Sequence, residues 1–417
     1  MKEVALLFPG QGSQYVGMGK ELCNEYKLAE ETFKEASEVL GFDLKDLCLT
    51  GDKEELKQTE NTQPAVLTQS VAVYRVLNEK YNLKPVYCAG HSLGEITALT
   101  CTGAIDFTDA VRIVRKRGLF MKEAAGEEAG TMAAVMGMKV EEVEQACLKV
   151  SEAKKEVIIS NYNAPNELVI SGFKEGIEQV KEDLSAKGAA VIPLQVSAPF
   201  HSSYMEQAAD KLEEELKNYT FHQFKWPVIS NIDAKPYSDP EEIRERLKEQ
   251  MVNPVLWSKT INFLEMEEVE AVIELGGKDV LKNLTTKITE SITAYSFSDQ
   301  QQDLNNFNQL LADNEQEVKK KELINKCLAT AVCTKNNNWN NEEYRKGVIE
   351  PYNEVSDLAS QLEKKDQEPT LEEVKQALKM LRSVFKTKQV PKEKQQERLT
   401  EILAATQTRE LFSDFEV

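Results

Sequence analysis

Histidine is scarce in this chain, with His91, His201 and His222 the three among 417 residues. Any imidazole that acts as a base must therefore be one of them. Cysteine is sparse too: seven, an odd number, with no Cys-x-x-Cys spacing. That pattern fits reduced thiols and argues against a disulfide framework or a zinc site. No apolar run approaches the ~20 residues needed to cross a bilayer. Val4 to Phe8 is apolar for five residues before Pro9 ends it, too short for a secretory leader. Positive charge is in deficit, 51 Lys plus Arg against 70 Asp plus Glu, for a net charge of −19. An acidic balance of that size disfavours nucleic acid and anionic membrane as partners. It also makes recognition of an anionic ligand depend on a local cation. The expectation is a soluble, cytoplasmic protein, long enough for two or three structural units.

What the chain does contain is Gly90-His91-Ser92-Leu93-Gly94, a Gly-x-Ser-x-Gly run between an apolar segment and a helical one. Pro85 to Ala89 reads as a short buried strand, and Glu95 to Thr100 as the start of a helix. A serine at such a junction sits on a strained turn, its hydroxyl lifted clear of the sheet and near a helix N-terminus. Glycines flank it because side chains there would strike the neighbouring strand or helix. Taken alone, the run also suits an ordinary Gly-rich turn with a capping serine.

The surrounding pattern predicts a mainly parallel sheet with helices on both sides. Val4 to Phe8 does not alternate, so it reads as a central strand buried on both faces, followed by the loop Pro9-Gly10-Gln11-Gly12-Ser13-Gln14. Helical patterns fill roughly 18–40, 62–81, with Pro64 in the first turn, and 107–123. Residues 131–197 change rhythm. Strands at 131–137, 157–161, 167–172 and 190–196, with helices at 140–150 and 176–187, give the βαββαβ order of a ferredoxin-like subdomain. Residues 1–130 and 198–297 would then form one large α/β domain, with Val272 to Leu275 a further strand leading into Gly276-Gly277. A cleft between the two is a natural ligand site. From 298 to 417 the chain reads as a helical extension. Its stretch 301–417 holds 21 acidic and 18 basic residues, so nearly all the net charge lies ahead of it. Leu371, Val374, Leu378, Leu381, Val384 and Phe385 share one helical face, which either folds back on the main domain or docks a partner.

A serine hydroxyl is a weak nucleophile near neutral pH and needs an adjacent base. His91 lies inside the elbow, where its side chain should point away from Ser92. His222, in Tyr219-Thr220-Phe221-His222-Gln223, reads as an ordinary surface histidine. His201, in Pro199-Phe200-His201-Ser202, is the leading base by elimination, although a loop histidine capping a helix would look the same. Acyl transfer also needs donors for a developing oxyanion. The Leu93 N–H is one, and the glycines of Pro9-Gly10-Gln11-Gly12 let a second main-chain N–H approach a ligand. Arg117 could grip a carboxylate with its fork, or could simply solvate a helix face within the cluster Arg112, Arg115, Lys116, Arg117. Ile113 and Met121, one turn away on either side, are apolar and point to partial burial.

Six motifs occur here in the order seen in malonyl-CoA:acyl-carrier-protein transacylases. They are Phe8-Pro9-Gly10-Gln11-Gly12-Ser13-Gln14, Thr62-Gln63-Pro64-Ala65, Gly90-His91-Ser92-Leu93-Gly94-Glu95, Arg115-Lys116-Arg117-Gly118 with Met121, His201, and Gln250-x-x-Asn253-Pro254-Val255-x-Trp257. The chain resembles that family, which includes acyltransferases of fatty acid and polyketide synthesis, from about residue 1 to 295. The resemblance implies an α/β-hydrolase-like, three-layer domain with Ser92 as the acylated nucleophile and His201 as its base. It implies that the main-chain N–H groups of Gln11 and Leu93 form the oxyanion hole and that Arg117 pairs with the malonyl carboxylate. It further implies that the Gln250 carbonyl orients the His201 ring in place of a triad acid. Phe200 is similar to the residue of malonyl-selective polyketide acyltransferases whose ring crowds an α-methyl group; Ala198-Pro199 before it makes that match partial.

The implied partners are malonyl-CoA and an acyl carrier protein, with malonyl-CoA a substrate and no cofactor or metal. A self-contained cleft implies a monomer. With no condensing, reductase or carrier sequence, the chain would serve carriers housed elsewhere, and its extension and Phe200 favour a discrete acyltransferase of a polyketide synthase. Two alternatives remain: an acyl-carrier-protein hydrolase of the same fold, for which Arg117 has no use, and a non-catalytic carrier-binding or assembly module.

Overall fold

Val4–Phe8 forms β1, the centre of a five-stranded sheet in which every neighbouring pair runs parallel. With β2 at Tyr87–Gly90, β7 at Val228–Ile229, β8 at Ala271–Leu275 and β9 at Thr293–Phe297, the order is β7-β2-β1-β8-β9. Ala5 and Leu7 on β1 share a core with Trp257, Ile261, Leu281 and Leu284. Leu6 and Phe8, which alternation sends to the opposite face, are equally buried. Both faces are therefore covered, as the non-alternating apolar run predicts. The computed structural model describes residues 3–124, 130–151, 156–196, 198–297, 319–365 and 367–412.

The second sheet consists of β3 (Gly130–Met136), β4 (Val157–Ala164), β5 (Glu167–Phe173) and β6 (Ala190–Pro193), in the antiparallel order β4-β5-β3-β6. Helices Val140–Ser151 and Lys174–Ser185 fill the connections, and Val143, Cys147, Ile177, Val180 and Leu184 pack with Val135, Ile159 and Ile170. β6 stops at Pro193 rather than reaching 196, with one further ladder bond from the Leu194 N–H to the Met132 carbonyl at 2.9 Å.

Two helices differ from the sequence pattern. The stretch 18–40 is two helices, Lys20–Glu25 and Lys27–Leu40, broken at an extended Tyr26 and delayed by Gly19 at φ 81°. The helix expected at 62–81 begins at Thr59, after two short helices at Leu44–Leu49 and Lys53–Lys57, and has Pro64 inside it. A proline there leaves the carbonyl four residues back without its helical donor. That carbonyl, on Glu60, accepts a hydrogen bond from Arg115 Nη1 at 2.7 Å. Arg115 thus repairs the helix, and Gly118 allows the close approach, since a Cβ there would lie 2.6 Å from Glu60 Cα.

The chain divides into two compact units, Lys2–Leu304 and Asn305–Val417; the boundary expected at 298 lies outside the described residues. The second unit contains helices at 319–333, Glu350–Lys364, Leu371–Thr387 and Lys392–Ala405. It has its own core, in which Val374, Leu378, Leu381, Val384 and Phe385 meet Leu323, Cys327, Val355, Leu399 and Leu403. Leu371 departs from the expected face and is 43% exposed. It is the first helical residue, directly after the N-cap Thr370 and within the Thr370–Glu373 capping box, too early in the turn to reach the core.

Candidate active site

Ser92 sits between β2 and the helix Leu93–Cys101 with φ 52° and ψ −107°. The glycines around it are needed for space. A Cβ on Gly94 would lie 1.9 Å from the Phe8 carbonyl oxygen, one on Gly90 would lie 1.9 Å from the Gly94 carbonyl carbon, and one on Gly10 would lie 2.5 Å from the His91 carbonyl oxygen. Asn231 clamps the turn: its Oδ1 accepts the Ser92 N–H at 2.7 Å and its Nδ2 donates to the Gly90 carbonyl at 2.7 Å. A positive φ on a residue with a side chain stores strain of order 1 kcal/mol. Ser92→Gly and Ser92→Ala both lose the hydroxyl, but only glycine releases the strain. Thermal unfolding should therefore show Ser92→Gly as the more stable of the two by about 1 kcal/mol; equal stability would mean the turn is relaxed.

His201 also has positive φ, 57°, and its Nε2 lies 2.8 Å from Ser92 Oγ. Its Nδ1 lies 2.8 Å from the Gln250 main-chain oxygen. A carbonyl only accepts, so Nδ1 carries the proton and Nε2 keeps the lone pair that faces the serine. Burial, reinforced by the neighbouring Arg117 charge, pushes the imidazole pKa down to about 3. The other histidines go elsewhere. His91 Nε2 pairs with Asn163 Oδ1 at 2.9 Å and its ring lies against Trp257. His222 is exposed, 3.8 Å from Asp106.

Arg117, on the helix Phe107–Ala124, is 2% exposed. Its Nη1 donates to Gln63 Oε1 at 2.9 Å, and its Nη2 donates to Gln250 Oε1 at 3.0 Å and Ser92 Oγ at 3.2 Å. Its buried Nε has no partner. Burial lowers its pKa to about 10, opposed by the charge of Glu95, so it stays cationic at neutral pH. A buried cation held by neutral oxygens, with a donor to spare, is a receptor for an anion. The rest of the basic cluster stays outside: Arg112 pairs with Asp109, Arg115 repairs the Pro64 helix, and Lys116 is exposed.

The loop carrying Gln11 is tied down by Ser13 Oγ on the Gly10 carbonyl and by Lys278 Nζ on the carbonyls of Gly12 and Gln14. Gln11 Oε1 accepts from Thr59 Oγ1 at 2.9 Å. Leu93 opens its helix, so its N–H has no intrahelical acceptor. Phe200 is buried next to His201, and its carbonyl accepts from Ser171 Oγ at 2.8 Å. The structure brings Ser92, His201, Arg117 and Gln250 together. It adds Gln63, Glu95, Asn231 and Tyr237, which sequence reading leaves without a role. Gln63 and Glu95 do fall inside quoted motifs; nothing local marks Asn231 or Tyr237.

The acyl transferase domain family matches residues 5–319. A malonyl CoA-acyl carrier protein transacylase of Bacillus subtilis is 37% identical over 392 residues, covering 94% of this chain and 98% of its own. The chain belongs to the malonyl-CoA:acyl-carrier-protein transacylase family. The Escherichia coli K12 transacylase is 43% identical over 302 residues, covering 72% of this chain and 97% of its own. Among solved structures, a malonyl-transacylase in complex with a type II PKS acyl-carrier protein superposes with a TM-score of 0.72 at 40% identity, covering 74% of this chain and 99% of that one. The transacylase likeness with the Bacillus protein continues past residue 295 into the second unit, beyond the span of the six motifs. Among the described residues of this transacylase, no helix is long and apolar enough to cross a membrane.

Proposed function

We propose that this transacylase moves a malonyl group from malonyl-CoA to the phosphopantetheine thiol of an acyl carrier protein through a malonyl-Ser92 ester. The observation that carries the reading is that one hydroxyl, Ser92 Oγ, contacts both a neutral imidazole nitrogen and a buried guanidinium. His201 Nε2 takes the Ser92 proton as Oγ attacks the thioester carbonyl. The oxyanion is held by the Gln11 and Leu93 N–H groups, then collapses, and CoA leaves with the proton from His201. The carrier thiol repeats the sequence in reverse, with His201 again as base. Arg117 exchanges its contact with Ser92 for the malonyl carboxylate and holds it through both steps. A hydrolase acting on neutral acyl groups would leave this buried cation without a purpose.

The same reading takes the 131–197 βαββαβ unit as ferredoxin-like and the parallel-sheet domain as α/β-hydrolase-like. It takes the protein as a cytoplasmic monomer without a cofactor; seven cysteines outside any disulfide agree with a reducing compartment. Phe200 supports malonyl selectivity, and with the extension it favours service to a polyketide synthase.

The test is to offer malonyl-, methylmalonyl-, succinyl- and acetyl-CoA together and weigh the intact protein. A malonyl adduct on Ser92 should dominate and should pass to carrier protein. Phe200→Ser should raise methylmalonyl loading by about tenfold, since excluding one methyl is worth ~1–3 kcal/mol. A dominant acetyl adduct, or none, overturns the reading.

A further inference from the structure

Glu95 lies one turn past Ser92 in the helix that Ser92 caps, fully buried, and among the described residues no ion pair reaches it. Three donors converge on its carboxylate: the Tyr237 hydroxyl, the Asn231 main-chain N–H at 2.9 Å and Gln250 Nε2 at 2.8 Å. Burial raises its pKa and these hydrogen bonds oppose the rise. Two of the donors belong to residues that hold reacting groups. Asn231 clamps the Ser92 turn. Gln250 has three attachments: Nε2 also reaches the Ser92 carbonyl at 3.0 Å, Oε1 receives Arg117 Nη2 at 3.0 Å, and its main-chain oxygen receives His201 Nδ1.

We infer that Glu95 is a positioning residue whose buried carboxylate fixes which way round the Gln250 carboxamide lies, and so keeps Arg117 in register with Ser92. A carboxamide has a donating end and an accepting end, and rotation by half a turn exchanges them at little steric cost. A carboxylate only accepts. It therefore draws the amide nitrogen to itself and leaves the oxygen toward Arg117. The Ser92 carbonyl, which also only accepts, draws the same nitrogen, so Glu95 strengthens a preference that the serine turn shares. With a neutral amide in its place, the rotamer that turns its N–H groups to Gln250 offers the Gln250 oxygen a partner, and the flipped form presents N–H groups to a guanidinium that has only donors. Arg117 would then lose one of the oxygens that aim it at the acyl pocket. The anion also supports the arginine's charge from within the protein. The His201 link runs through the main chain of Gln250 and is untouched by the flip, so the serine–histidine pair should survive when the arginine grip fails.

This inference rests on the transfer reading above, and the test separates the two. Wild-type protein, Ser92→Ala, Glu95→Gln and Tyr237→Phe are compared by kcat and KM with malonyl-CoA and acetyl-CoA. Ser92 labelling by an uncharged fluorophosphonate is followed in parallel. Glu95→Gln should cut the malonyl-to-acetyl ratio of kcat/KM by about tenfold, the scale of one charge-assisted hydrogen bond, with labelling changed far less. Tyr237→Phe removes one of the three donors and should lower the same ratio by about two- to threefold. If Glu95→Gln does not fold, Tyr237→Phe decides. A purely structural role would depress both substrates and labelling together, and that result, or an unchanged ratio, overturns the inference. Absence of a malonyl-Ser92 adduct in the wild type would instead sink the transfer reading itself.

Discussion

Ser92→Ala is expected to abolish the acyl-enzyme and to lower malonyl transfer to carrier protein by about 10⁴-fold or more. His201→Ala should come close to the same loss, and the double variant should be little worse than either. The two act as a unit: the hydroxyl is inert until the imidazole removes its proton, and the imidazole's later proton transfers to CoA and from the carrier thiol all pass through the ester formed on that hydroxyl. The geometry makes the dependence on His201 strict. Its Nδ1 hydrogen is committed to the Gln250 carbonyl and its Nε2 to Ser92 Oγ, and among the described residues no carboxylate is hydrogen-bonded to the ring. Intact-mass measurement of the malonyl adduct, with stopped-flow release of CoA, checks this. An adduct formed at near wild-type rate by either variant would place the nucleophile or the base elsewhere.

Arg117→Ala carries the second large effect, and it is selective. Loss of a buried charge-assisted pair costs about 2–4 kcal/mol, so kcat/KM for malonyl-CoA should fall by roughly 30- to 1,000-fold. Acetyl-CoA makes no carboxylate contact and should turn over as well as before, or better. A pH effect accompanies it. Burial first, and the Arg117 charge second, hold the His201 pKa near 3, so the neutral, base-competent ring persists far into acid. Acylation in the wild type should lose nothing to His201 protonation between pH 7 and 5. Removing the arginine charge lets the histidine pKa rise, so the acid limb of the Arg117→Ala profile with acetyl-CoA should move upward. An equal loss for both substrates, or an unmoved limb, would remove Arg117 from the carboxylate role.

Much of this site was legible because its chemistry is carried by rare or conformationally unusual residues. Ser92 announces itself through Gly90 and Gly94, where any Cβ would lie 1.9 Å from neighbouring backbone. His201 stands out because so few histidines compete with it. The parallel sheet was legible because doubly buried strands cannot alternate. What escaped depends on contacts between residues far apart in sequence. Arg115 read only as a member of a basic cluster on a helix face; its bond to the Glu60 carbonyl is a consequence of Pro64 lying inside a helix that pattern alone starts too late. Asn231 and Tyr237 converge on Glu95 from more than 130 positions away, and no local period reports such a meeting. Gln250 was legible through its main chain, while its side chain, which bridges Glu95 and Arg117, was not.

The uncomfortable backbone at positions 92 and 201 has a bearing on descent. Only glycine is at ease there, so the easiest mutation away from a working nucleophile relaxes the turn rather than breaking the fold. Selection for the reaction has to hold the serine against that drift. Where a lineage stops needing the chemistry, it should leave behind sturdy, silent descendants with glycine in the elbow and an otherwise intact cleft.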